Sequence, residues 1–140
     1  MDIENNDYHP DDEEYDLLLP RFRFRIKVDI ESFINWLRNK LNEISKSTHE
    51  TEWQNMSETY ARVFYSIPYE NERHYELGLT YRIDDYAIRP PFTTEMYLAL
   101  WVTILKIKKL EIEVKAFSTE NKNYIGYINE IYDEIIRIYG

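Results

Sequence analysis

Apolar and polar positions alternate with a period of two from Arg21 to Val28. Phe22, Phe24, Ile26 and Val28 face one way and Arg21, Arg23, Arg25 and Lys27 the other, which predicts a strand with one buried face. The period then changes. Ile30, Phe33, Ile34, Leu37, Leu41 and Ile44 recur at helical spacing with Trp36 beside them, predicting a helix to about Lys46. Asp29 supplies its N-cap, and Glu31 lies in the first turn, where the helix dipole favours an acid. Residues 47–56 are polar and read as a loop with a helical turn around Trp53. Glu58 to Ile67 reads as a strand with Ala61, Val63, Tyr65 and Ile67 inward, followed by a turn from Pro68 to His74. Tyr75, Leu77, Leu79, Tyr81 and Ile83 alternate with Glu76, Gly78, Thr80, Arg82 and Asp84, a second strand of the same hairpin.

After a loop from Asp84 to Pro91, Thr93 or Thr94 is placed to cap a second helix. Met96, Tyr97, Leu100, Trp101, Ile104 and Leu105 give that helix a broad apolar face. Leu110, Ile112, Val114 and Ala116 then alternate with Lys109, Glu111, Glu113 and Lys115, which predicts a strand. The heptad-spaced set Met96, Leu100, Thr103, Ile107, Leu110, Val114 and Phe117 offers one long helix over 94–117 instead. Ser118 to Asn123 is a polar break. Tyr124 to Tyr139 reads as a helix with Ile125, Ile128, Ile131, Tyr132, Ile135 and Ile138 on one face.

The order strand, helix, strand, strand, helix, strand is that of the ferredoxin-like fold, an antiparallel sheet with its helices on one face. The predicted class is therefore α+β, a βαββαβ sheet with an extra C-terminal helix; the alternative is a helical bundle with a small β-hairpin. In the first case the uncovered sheet face carries Arg21, Arg23, Arg25, Lys27, Glu76, Arg82, Glu111, Glu113 and Lys115, with Tyr60, Arg62 and Phe64.

Charge divides the chain in two. Residues 1–20 hold eight acids (Asp2, Glu4, Asp7, Asp11, Asp12, Glu13, Glu14 and Asp16) and no base. Removing those eight from the 26 acids leaves 18 against 17 bases, a net of −1 for residues 21–140. Residues 1–20, rich in charge and carrying Pro10 and Pro20, read as an acidic flexible arm, and 21–140 as a single domain. Within the arm Asp11, Asp12, Glu13, Glu14, Tyr15 and Asp16 are the candidate partner-binding residues. Their charge suits a basic surface on a larger partner. The arm is also placed to fold back over Arg21, Arg23 and Arg25.

Candidate chemistry is sparse. His9, His49 and His74 stand apart from one another, so no metal site is expected. The absence of cysteine removes thiolate ligands, thiolate catalysis and disulfides. Three glycines, Gly78, Gly126 and Gly140, cannot build a phosphate-binding loop, and no serine stands in a nucleophile elbow. Asp84-Asp85 reads as a solvated pair, and Glu111 and Glu113 as salt-bridge partners of the basic strand. An enzyme is not expected, and no cofactor is implied. Arg21, Arg23, Arg25 and Lys27 form a possible basic strip for nucleic acid, but Tyr75 to Ile83 lacks the basic-Gly-aromatic signature of RNA-binding sheets. Thirteen tyrosines, among them Tyr8, Tyr15, Tyr69, Tyr86, Tyr124, Tyr127 and Tyr139 outside the clear core positions, suit a protein-binding surface.

In composition the chain resembles the small orphan proteins of crenarchaeal, hyperthermophilic archaeal viruses: no cysteine, Gln54 as the single glutamine, and abundant Glu, Lys, Ile and Tyr. That resemblance implies a viral protein acting in the host cytoplasm, with RNA polymerase or a CRISPR effector complex as targets. The acidic N-terminus has no apolar stretch typical of a signal peptide, and no apolar run approaches membrane-spanning length. The expected function is a non-enzymatic inhibitor or regulator that occupies a basic nucleic-acid-binding groove. The alternatives are an assembly protein with a homodimer or virion contact, and a nucleic-acid-binding module using residues 21–27.

Overall fold

The structure, a computed structural model, describes residues 18–48, 50–52, 57–66, 73–85 and 94–140. The elements run β1 (Leu19–Ile26), α1 (Ile30–Ser47), β2 (Glu50–Glu52), β3 (Ser57–Ser66), β4 (His74–Asp85), β5 (Thr94–Lys108), β6 (Glu111–Ser118) and α2 (Lys122–Tyr139). The expected α+β class is found, with both the N-terminal strand–helix unit and the C-terminal helix in place. Expectations for residues 1–17, His49, Trp53, 67–72 and 86–93 lie outside the described residues.

All strands pair antiparallel in one sheet of order β1-β6-β5-β4-β3-β2. From β2 to β6 the chain is a meander, and β1 lies beside the last strand. This is not the ferredoxin-like arrangement, nor the helical bundle. The second predicted helix does not form: residues 94–108 are β5, paired on both sides. The reason lies in a bulge. The register between β4 and β5 slips between Leu79 and Thr80, leaving Ala99 as the extra residue between Leu98 and Leu100. Tyr97 and Leu100, three apart, consequently face the same side, and the pattern imitates a helix. A two-residue turn at Lys109-Leu110 then returns the chain into β6. The polar stretch after α1, expected as loop, also contributes the three-residue β2.

Helix α1 carries the chain from one sheet edge to the other. Its 18 residues give about 27 Å of length, against about 24 Å for the five strand steps between β1 and β2. Asp29 caps it as expected, its Oδ1 accepting from the Glu31 N–H at 3.0 Å and the Ser32 N–H at 3.4 Å. At the other end Ser45 Oγ donates to the Ala61 carbonyl of β3 at 2.8 Å, tying the helix to the sheet. Helix α2 is capped by Asn121, which accepts from the Asn123 N–H at 2.9 Å.

Both helices lie on one face. Phe33, Leu37, Leu41 and Ile44 of α1 and Ile128, Ile131 and Ile135 of α2 meet Leu77, Leu79, Leu100, Val102, Ile104, Ile112 and Val114 of the sheet, all buried. Each such side chain contributes roughly 1.5–3 kcal/mol of transfer free energy. Ile138, expected on this face, is instead 42% exposed, and Tyr132 is 40% exposed. Tyr124, placed outside the core by its sequence context, is buried and stacks on Tyr81 with ring centroids 5.6 Å apart.

The two helices are linked by Lys40 of α1, whose Nζ pairs with Glu130 and Glu134 of α2. Burial alone would lower the Lys40 pKa; the hydrogen bonds to Glu130 and Glu134 outweigh it, and the net shift is upward. A raised folded-state value means that the stabilisation is whole below the unfolded value of 10.5 and is lost as pH rises through the folded one. Lys40→Met should therefore lower stability by about 1–2 kcal/mol at neutral pH, measured as a lower urea midpoint. The gap from the native protein should hold up to about pH 10.5 and close only above it.

Candidate functional site

Among the described residues, no helix covers the other face of the sheet. Residues paired directly across an antiparallel ladder share a face, so the register reads out the surface row by row. One row runs Pro20, Phe117, Trp101, Gly78, Phe64 across five strands. The Trp101 and Phe117 rings stack with centroids 5.0 Å apart and planes 27° from parallel. The Phe64 ring lies over Gly78, in the space that a side chain at Gly78 would fill. Trp101, Phe117 and Phe64 are each partly exposed, forming an aromatic belt across the middle of the face.

Charged and polar rows flank the belt. On one side stand Arg23, Lys115, Thr103 and Glu76, then Arg25, Glu113, Leu105 and His74. On the other stand Leu98, Thr80 and Arg62. Glu113 is the buried charge of this surface, 8% exposed. Its Oε2 accepts from Arg23 Nε at 3.2 Å and Nη2 at 3.1 Å, with Arg25 Nε at 3.7 Å. The expected salt-bridge role of Glu113 is thus realised. Glu111 pairs with Lys108 at 4.0 Å.

The basic strip is only partly as expected. Arg23 and Arg25 stand on the open face, and Lys27 is exposed just past the end of β1. Arg21 leaves the row because the register of β1 against β6 shifts between Pro20 and Phe22. The bulge turns Arg21 to Ser118 and Thr119: its Nε donates to Ser118 Oγ at 2.8 Å and its Nη2 to the Thr119 carbonyl at 3.1 Å. Arg21 therefore fastens the strand to the start of the α2 connection.

Sequence reasoning placed Phe64, Arg62, Glu76, Arg23, Arg25, Glu113 and Lys115 on this face but missed Trp101, Phe117 and Pro20. Phe117 was legible from its period-two relation to Lys115 and Glu113. Trp101 was hidden by the bulge at Ala99. The side chains of Tyr60, Asp84 and Asp85, and all of Asp11, Asp12, Glu13, Glu14, Tyr15, Asp16, His9, Tyr8, Tyr69 and Tyr86, lie outside the described residues.

A groove of about 550 Å³ runs beside β1, between Phe22–Lys27 and Tyr132, Ile136 and Tyr139 of α2. A smaller depression of about 220 Å³ lies between the end of α1 and the start of α2, lined by Ser47, Thr48, Asn121, Asn123 and three tyrosines. Neither joins a nucleophile to a base. Among the described residues no three histidines or carboxylates gather as metal ligands. What the open face can do is bind: flat apolar contact in the centre, ion pairs around it.

The belt depends on Gly78. A methyl group there would collide with the Leu100 carbonyl oxygen and lie 2.7 Å from the Phe64 ring. Gly78→Ala should cost about 3 kcal/mol, the upper end of the range for overpacking, measured by urea denaturation. Adding Phe64→Leu should recover only part of the loss, because the carbonyl oxygen remains.

The chain matches no family model, no curated protein and no solved structure.

Proposed function

We propose that this chain is a non-enzymatic interaction protein, an inhibitor or regulator that works by occupying part of a larger complex. The aromatic belt Phe117–Trp101–Phe64 on the open sheet face carries the reading. Aromatic side chains half-exposed on a rigid sheet supply contact area at little entropic cost, and aromatic and Arg residues dominate binding hot spots. The acidic residues Asp11, Asp12, Glu13, Glu14 and Asp16 add long-range attraction to a basic surface. The partner best suited to both is a complex with a basic groove for nucleic acid. The resemblance in composition to crenarchaeal viral proteins makes host RNA polymerase or a CRISPR effector the target class.

Support for the nucleic-acid alternative is thinner. Arg21 is turned away to Ser118 and Thr119, and the net charge of −1 over residues 21–140, with eight acids ahead of them, disfavours a phosphate backbone.

Capture from host lysate at low and high salt tests the proposal. The native chain should retain a large complex, less strongly at high salt. Replacing Asp11, Asp12, Glu13, Glu14 and Asp16 by their amides should weaken capture at low salt and flatten the salt dependence. Trp101→Ala should weaken it at both. Equal capture by the amide variant would remove the acidic segment from the mechanism, and equal capture by Trp101→Ala would remove the belt. The amide variant is cleaner than deleting residues 1–20, because Leu19 and Pro20 already belong to β1.

A further inference from the structure

The groove beside β1 is bordered by six consecutive residues, Phe22–Lys27. Neighbouring residues of a strand point to opposite faces, so a groove touching all of them runs along the strand's edge and over neither face. Among the described residues no strand pairs with that edge, since β1 stands at the end of the sheet. An unpaired edge presents a row of N–H and C=O groups that a further strand can complete.

The two walls of the groove differ. On the helix side Phe22 and Phe24 pack on Tyr132, with ring centroids 5.2 and 5.9 Å apart, and Ile136 is 45% exposed. On the open side stand Arg23 and Arg25, with side chains 66% and 56% exposed, and Lys27 beyond them. Arg23 and Arg25 share the single carboxylate of Glu113, leaving that wall with an excess of positive charge.

We propose that this edge receives an extended acidic peptide segment of a partner protein by strand addition. The segment alternates acidic and apolar residues: the acids meet Arg23, Arg25 and Lys27, and the apolar side chains enter between Phe22, Phe24, Tyr132 and Ile136. Main-chain hydrogen bonds supply affinity and the alternating walls supply specificity. Phe22–Lys27 offers about 20 Å of edge, room for roughly six residues. The proposal rests on the reading of the chain as a protein-binding module and adds the chemistry of one contact. The chain's own Glu14-Tyr15-Asp16-Leu17 carries the same alternation and is the competing occupant.

The test is fluorescence anisotropy of the full chain with a labelled peptide of alternating Glu and Val. Binding is expected, with no binding of the Lys–Val counterpart. Affinity should fall about tenfold or more in Arg23→Gln/Arg25→Gln. It should fall likewise in Ile136→Lys, an exposed position whose replacement leaves the core intact. A peptide N-methylated at every residue, which cannot donate along the edge, should not bind. Failure of the Glu–Val peptide overturns the proposal, as does equal binding of the N-methylated version. Binding gained only after Glu14→Lys/Asp16→Lys assigns the groove to the chain's own segment and also overturns it. A chain that binds the peptide but captures nothing from lysate keeps the edge site and loses the broader reading; capture without peptide binding does the reverse.

Discussion

One apolar layer holds the molecule together: the contact between the two helices and the inward face of the sheet. Everything else follows from the need to fill it. Leu77, Val102 and Ala116 lie side by side across β4, β5 and β6, and the next row repeats with Tyr75, Ile104 and Val114. Such a surface has to be covered, and α1 alone spans too little of it. Helix α1 packs mainly on β3 and β4, so α2 is required over β6, β1 and β5. Lys40 then fixes how the two helices lie against each other, because its ammonium must stay within reach of two carboxylates on α2. With both helices on one side, no described helix covers the reverse of the sheet.

Much of this was legible in the sequence. Period-two alternation gave β1, β4 and β6 with the correct faces, and helical spacing with Asp29 ahead of it gave α1. The C-terminal helix was equally plain. What misled was β5. Leu98, Ala99 and Leu100 straddle a bulge, so the strand changes phase in mid-course and Tyr97, Leu100 and Ile104 fall on one side. Leu100, Val102 and Ile104 also face the helices while Trp101, Thr103 and Leu105 line the opposite surface, so nearly every position is apolar. A run of that kind carries no period to distinguish strand from helix. Once β5 is misread, the sheet order is lost with it, since a helix there would demand a crossover where the chain makes a tight hairpin.

The candidate surface was half legible for the same reason. Apart from Arg21, the charges on β1, β4 and β6 were placed correctly by alternation, and Glu113 was correctly matched to the arginines. The aromatic row was not, because it exists only in the register between strands: Phe64, Trp101 and Phe117 are 37 and 16 residues apart in sequence and have no shared spacing. Gly78 is the residue that could have pointed to it. A glycine within an otherwise well-patterned strand signals a place where something else comes close, and here that is the ring of Phe64. Arg21 is the reverse case, correct in alternation but displaced by an irregularity that alternation cannot reveal.

Among the described residues no strand pairs with the outer edge of β1, and this has a consequence for how molecules of this protein treat one another. A strand with one unpaired side is the usual starting point for fibrous association, since two such edges can zip together without limit. Here Arg23, Arg25 and Lys27 would be brought against their own counterparts if two copies approached edge to edge, whichever direction the strands ran. Glu113 offsets only part of that charge. Like-charge repulsion therefore disfavours that pairing of one β1 edge with another.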